Sequence, residues 1–187
     1  MKKAYVIGIA GGSAGGKSTF AKMLQTALEG LEVRILSMDT YFKAEEERLI
    51  VEAPITGSEY RDDNHPSSFN LNELKRDLAN ILSDGQIRVV IVEGLLTLWD
   101  NEILEQLDLR LFVDCRADER IVRRLKRNMQ WGLTFDQIAE VYLDLVRYRH
   151  DEYVEPSKWR ADFIINGSNP SDKALQILAN HIKCSME

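Results

Sequence analysis

Between an apolar run, Ala4-Tyr-Val-Ile-Gly-Ile-Ala10, and a stretch with one apolar face, Ser18 to Leu28, the chain carries Gly11-Gly-Ser-Ala-Gly-Gly-Lys-Ser18. This fits GxxxxGK[ST], a phosphate-binding loop. Its glycines let successive backbone N–H groups curl around phosphate oxygens, and the helix that follows adds its positive dipole end. A Gly-rich turn alone would also satisfy the local sequence. A strand before it and a helix after it are the context that favours phosphate binding. Gly11, Gly12, Ser13, Ala14, Gly15, Gly16, Lys17, Ser18 and Thr19 therefore form the expected nucleotide-binding set. Lys17 would reach the β- and γ-phosphates of ATP, and the Ser18 hydroxyl would hold Mg2+.

The rest of the chain continues the alternation. Val33 to Ser37, Arg88 to Val92, Leu109 to Val113 and Ala161 to Ile165 read as further strands. Asn70 to Leu82 reads as a helix whose Asn70 and Glu73 have capping-box spacing. Arg116 to Met129 is an Arg-rich helix, and Thr134-Phe-Asp-Gln137 is a capping box opening a helix to about Tyr153. Ser171 to Lys183 is the last helix, whereas residues 42 to 69 are irregular, rich in charge, Pro and Gly. Strands alternating with helices predict a parallel sheet covered on both faces. Ligands of such sheets sit at the carboxyl ends of the strands, where every motif discussed here falls.

At 187 residues with 44% hydrophobic content, one domain (1–187) with its own core is expected. The charge, 24 basic against 30 acidic residues or −6, argues against a non-specific nucleic-acid binder. Apolar runs such as Val89-Val-Ile-Val92 are strand-length, which argues against a membrane span, and no signal core precedes Gly8. Two cysteines, Cys115 and Cys184, without a CxxC, predict a reducing cytoplasmic setting and no cysteine zinc site. A homo-oligomer is left open.

Two acids stand at predicted strand ends. Asp39, 22 residues beyond Lys17 (39 − 17 = 22), would face the γ-phosphate, where a hydroxyl acceptor needs a base; the alternative is an Asp that only turns the chain. Glu93 ends a buried strand, where a carboxylate is costly unless it meets a cation, and so is the expected partner of Ser18 at Mg2+.

Taken in order, these motifs resemble the uridine kinase family of P-loop kinases, related to phosphoribulokinase. The resemblance rests on the phosphate loop, Ser37-Met-Asp-Thr-Tyr-Phe42, His65-Pro-Ser-Ser-Phe69 and Val92-Glu-Gly-Leu95. It continues through Phe112-Val-Asp114, Arg120-Ile-Val-Arg-Arg124 and Pro156 with Ala161-Asp162. It implies a P-loop NTPase-type α/β fold, with a five-stranded parallel sheet, helices on both faces and an Arg-rich helical lid at about 116–134. It implies Asp39 as catalytic base, Tyr41 or Phe42 near the acceptor, and Arg124 and Arg127 clamping the transferred phosphate. On the acceptor side it points to Asp63, His65, Arg149 and His150, with a surface or packed histidine as the plainer reading of His150.

Three departures accompany the resemblance. The family's Asp-His-Pro appears as Asp62-Asp63-Asn64-His65-Pro66, so Asn64 takes the acid's place unless a one-residue shift brings in Asp63. The base-reading β-hairpin that uridine kinases carry before the third strand is missing, because Leu82 to Ile87 runs straight into the strand. The family's Arg-Gly-Arg after the lid helix reads Trp131-Gly132-Leu133.

Arg120, Arg123, Arg124 and Arg127 recur at i, i+3, i+4 and i+7, one helix face, where like charges repel unless an anion is present. A solvated face paired with residues such as Glu119 is the plainer alternative. Trp99, Trp131 and Trp159 read as core or lid packing, Cys115 as a small buried hydrophobe, and His181 as a surface residue. The expected activity is transfer of the ATP γ-phosphoryl group to a hydroxyl of a nucleoside or other ribosyl-type acceptor. A regulatory nucleotide-binding protein without acceptor chemistry, and a kinase of a phosphorylated sugar or a vitamin riboside, remain alternatives.

Overall fold

Strand β1 (Tyr5–Gly11) is apolar on both sides because it is buried on both sides. It lies at the centre of a five-stranded sheet, between β5 (Val89–Glu93) and β6 (Leu109–Asp114). Strands β2 (Val33–Ser37) and β7 (Phe163–Asn166) form the edges, and every pairing in the sheet is parallel. The structure, a computed structural model, describes residues 4–186.

Strand periodicity divides the interior into two cores. Ile7, Ile9, Val89, Ile91, Leu109 and Leu111 face one layer, built from Phe20 and Leu24 of α1 (Lys17–Ala27) and Leu178 and Ile182 of α7 (Asp172–Ser185). Val6, Ala10, Val90, Val92 and Phe112 face the other, built from Leu74 and Leu78 of α2 (Leu71–Asp84) together with Met38 and Leu95 to Ile103. The predicted doubly covered parallel sheet is the observed fold. Among the described residues, no helix is long and apolar enough to cross a membrane.

The five sheet strands lie within two residues of their predicted bounds. Thr134 closes the expected capping box: its Oγ1 accepts from Gln137 N at 3.3 Å, and the Gln137 side chain accepts from Thr134 N at 2.9 Å. The helix it opens, α5 (Phe135–Val141), passes through π turns at Tyr142–Val146 and His150–Val154, separated by α6 (Arg147–Arg149). It then ends in a 3-10 stretch, Glu155–Arg160, beyond the expected Tyr153.

Two expectations are corrected and one unpredicted helix appears. Asn70 makes no side-chain cap; its backbone N–H instead donates to Tyr41 O at 2.7 Å, tying α2 to the turn after β2. A short helix, α3 (Asn101–Leu104), capped by Asp100 through Ile103 N at 2.9 Å, is too brief to show a periodicity. The segment 42–69 is not wholly irregular. It contains an antiparallel pair, β3 (Ile50–Glu52) with β4 (Glu59–Arg61), whose three-residue strands fall below the length at which alternation is legible. Between α2 and β5 the chain turns at Gly85 with no intervening strand, as the sequence predicts.

Candidate active site

The carboxyl ends of β1, β2 and β5 open into a cleft of about 990 Å³. Residues of the phosphate loop, Asp39, Arg123, Arg124 and Arg127 line it together. The loop's curl depends on left-handed backbone at Ala14 (φ 59°) and Gly16 (φ 98°), which turns N–H groups toward a common centre. Ala14 holds this conformation without the freedom of glycine, a local strain typical of ligand-binding loops. Gly12 packs closely on Arg120: a Cβ there would lie 2.3 Å from Arg120 Nη1, so that side chain would have to shift. Lys17 is buried, and its Nζ donates to Gly12 O at 3.1 Å. Burial pulls its pKa below the ordinary lysine value, while the charges of Glu93 and Asp39 oppose that shift.

The Glu93 carboxylate is almost fully buried at the end of β5, as the sequence suggests. Its Oε1 accepts from Ser37 Oγ at 2.6 Å and from Ser18 Oγ at 3.1 Å. Parallel register puts Ser37 beside Glu93, and the loop-to-helix turn brings Ser18 there. A cluster of hard oxygens with one carboxylate suits Mg2+, which keeps several waters and takes further oxygens from phosphate groups. The structure brings the expected pair, Ser18 and Glu93, together with chemistry that such an ion could use, and Ser37 lies beside them. Ser37 could have been noticed from its place at the end of β2, next to Met38-Asp39.

Asp39 lies exposed in the turn Met38–Tyr41 and lines the cleft. Its charge acts on both Lys17 and Arg127. Gly94, just after Glu93, lets this turn pack close, since a Cβ there would sit 2.3 Å from Met38 Cβ.

The arginine stripe divides into two roles. On α4 (Ala117–Met129), Arg124 Nη1 and Arg127 Nη2 reach Ser13 Oγ of the phosphate loop at 3.2 and 3.4 Å. Arg124 Nε is buried with no hydrogen-bond partner, and burial, then Arg127, lowers the pKa of its guanidinium. Arg127 Nε, by contrast, donates to Asn128 Oδ1 at 3.0 Å. Arg120 instead sits beneath the loop, donating from Nε to Cys115 O at 3.1 Å. Arg123 is tied to Gly167 O at 3.0 Å and to Glu119 at 3.2 Å. Trp131 lines the cleft under Arg127, whose guanidinium carbon is 5.0 Å from the ring centroid. Trp159, by contrast, is 83% exposed and does not pack in the core.

The acceptor-side candidates separate. Asp63 lines the cleft beside Asn64, and both open onto it, while Asp62 is fully buried. Phe42 lines the cleft, whereas the Tyr41 side chain is buried and its hydroxyl donates to Asp77 at 3.0 Å. Arg149 is drawn inward, its Nε donating to Asp62 at 2.5 Å. His65 Nδ1 accepts from Ser67 N at 3.1 Å, capping the turn Pro66–Ser68, and the ring packs edge-on to Tyr153. His150 lies between Arg120 (3.2 Å) and Glu155 (3.3 Å). Burial and the Arg120 charge hold it down to about 4, so it is neutral near pH 7. Since Arg120 can only donate, Nδ1 accepts and Nε2–H faces Glu155. Tyr41, His65, Arg149 and His150 therefore hold the scaffold around the cleft. Tyr60 and Arg61, from the unpredicted β4, line it instead.

The sequence model of the Phosphoribulokinase / Uridine kinase family matches residues 59–173. A uridine kinase from Bacillus cytotoxicus (strain DSM 22905 / CIP 110041 / 391-98 / NVH 391-98) is 32% identical over 208 residues, covering 99% of this chain and 96% of that protein. A uridine kinase from Bacillus cereus (strain AH187) matches to the same extent. Among solved structures, the phosphoribulokinase from Rhodobacter spheroides superposes with a TM-score of 0.64 at 17% identity, covering 91% of this chain and 74% of that one. A structure from Bacillus stearothermophilus described as a possible uridine kinase gives 0.60 at 19% identity, covering 88% and 89%. At these identities the structural matches speak for the fold alone.

Proposed function

Because the chain belongs to the phosphoribulokinase/uridine kinase family, we propose that it is an ATP-dependent kinase that phosphorylates a hydroxyl of an uncharged nucleoside or other ribosyl-type compound. The observation that carries the reading is the meeting of Ser18, Ser37 and Glu93 beside buried Lys17, with Asp39 in the same cleft. Mg2+, held by Ser18 and Glu93, would neutralise charge on the β- and γ-phosphates.

The residues of the chain do the rest. Backbone N–H groups of the phosphate loop and Lys17 Nζ hold the nucleotide phosphates. Arg124 and Arg127 stabilise charge on the phosphoryl group in flight, in a site whose burial strengthens each interaction. Asp39 accepts the proton as the acceptor oxygen bonds to the γ-phosphorus. The bond from that phosphorus to the bridging oxygen breaks, and ADP leaves with the bonding pair.

Charge pairing favours an uncharged acceptor over a phosphorylated sugar. The arginines beside the acceptor end are each spoken for: Arg48 by Asp63 at 2.9 Å, Arg61 by Glu45 at 2.6 Å, and Arg149 by Asp62. A phosphorylated acceptor would have to break such a pair. A cytoplasmic setting is part of this reading, supported by two free cysteines, Cys115 buried and Cys184 exposed.

The test is mass-spectrometric detection of phosphorylated product, coupled to ADP release, across ribosides, free sugars and sugar phosphates. Product from an uncharged riboside is expected. ATP binding without product from any hydroxyl compound would overturn the reading in favour of a nucleotide-binding regulator.

A further inference from the structure

The β3–β4 hairpin is fastened to the helix that follows the Arg-rich helix, and the fastening converges on one residue. Thr56 Oγ1, at the hairpin turn, donates to Oδ2 of Asp144, a carboxylate in the π turn Tyr142–Val146. Asp144 is only 5% exposed, so its donors matter. Thr56 Oγ1 also accepts from Ser58 N at 3.2 Å, which joins the same hydroxyl to the turn's own backbone. The Tyr60 hydroxyl faces Asp144 as well: burial, then hydrogen bonding to that carboxylate, raises its pKa above the ordinary value.

This fastening places one wall of the cleft. Tyr60 and Arg61 of β4, with Asp63 and Asn64 just beyond, share the cleft with Phe42, Asp39 and the α5 residues Ile138 and Val141. Apolar side chains and a phenol stand near the expected base, while Asp63 and Asn64 supply hydroxyl partners. That mixture suits an uncharged molecule with a planar ring and a sugar.

We propose that the β3–β4 hairpin is the acceptor-selecting wall, with Tyr60 as the specificity-determining side chain against the ring of an uncharged riboside. Thr56 and Asp144 are positioning residues that hold the hairpin over the cleft. The inference rests on the kinase reading for the chemistry at Asp39, but not for the recognition itself.

The experiment uses the full chain with uridine, cytidine, guanosine, adenosine and ribose. It records kcat and KM for each, and amide hydrogen exchange over residues 50–61 with a non-hydrolysable ATP analogue present. Y60A should change the kcat/KM ratio between ribosides and ribose by about tenfold or more, with Y60F much closer to wild type. T56V, nearly unchanged in volume, should raise the acceptor KM and speed exchange over 50–61 while leaving the KM for ATP within about twofold. Ratios unchanged in Y60A, with T56V like wild type, would overturn the proposal. If wild type phosphorylates none of the compounds, the exchange data decide. Protection of 50–61 by a riboside, lost in Y60A, upholds the hairpin's role while the kinase reading fails; absence of protection overturns both.

Discussion

Ser37 Oγ lies 2.6 Å from Glu93 Oε1, across the pairing of an edge strand with its inner neighbour. Ser18 reaches the same oxygen at 3.1 Å, so the phosphate loop and two strand ends are linked through one buried carboxylate. Removing the Ser37 hydroxyl leaves Glu93 short of a donor. S37A should cost about 1–3 kcal/mol of stability in the ligand-free protein, read as a lower denaturation midpoint. It should also raise the Mg2+ concentration for half-maximal ADP formation by roughly 10-fold or more, as losing the partner of a metal ligand does. An unchanged Mg2+ titration would separate Ser37 from the metal site.

Asp39 is the cleft carboxylate proposed as the base. D39N keeps its shape but cannot accept one, so kcat should fall on the order of 10²–10⁴-fold while ATP affinity changes little. Rates within about threefold of wild type would remove Asp39 from the chemical step.

Arg124 and Arg123 are neighbours with different fates. Arg124 Nε has no hydrogen-bond partner in its buried position, whereas Arg123 is committed to Gly167 and Glu119. R124A should lower kcat/KM for ATP by roughly 10- to 100-fold, the worth of a charge-assisted hydrogen bond. R123A should act mainly on thermal stability and change kcat/KM by less than about fivefold. Equal kinetic losses in the two variants would contradict the division of the stripe.

His150 sets a pH dependence of stability. Its folded pKa of about 4 lies below the ordinary value of 6.5. The unfolded chain therefore binds the extra proton first. Stability is intact above pH 6.5 and falls as pH drops from there toward 4, by an amount on the order of 2–3 kcal/mol. H150Q, whose amide oxygen can still accept from Arg120, should flatten the melting temperature between pH 6.5 and 5. A wild-type slope retained in H150Q would assign the effect to other groups.

The local order of the chain was sufficient for the sheet, the phosphate loop and the acids at the strand ends. Apolar runs such as Val89–Val92 have the length of buried strands, and Gly16 with Lys17 and Ser18 falls between a strand and a helix, the context that favours phosphate binding over a plain Gly-rich turn. Side-chain direction on the acceptor side was decided only by packing. Tyr41, His65, Arg149 and His150 carry chemistry as residue types, yet each spends its polar atoms on a neighbour far along the chain or on its own turn. The sequence cannot show that Asp62 is buried and claims Arg149 while Asp63 and Asn64 line the cleft, because the three polar residues are adjacent and their burial is decided by tertiary contacts. The β3–β4 hairpin was hidden for a related reason. Its strands are three residues long, and it is held through Thr56 by Asp144, a partner 88 residues away that exists only once the helix after the Arg-rich stripe has folded against it.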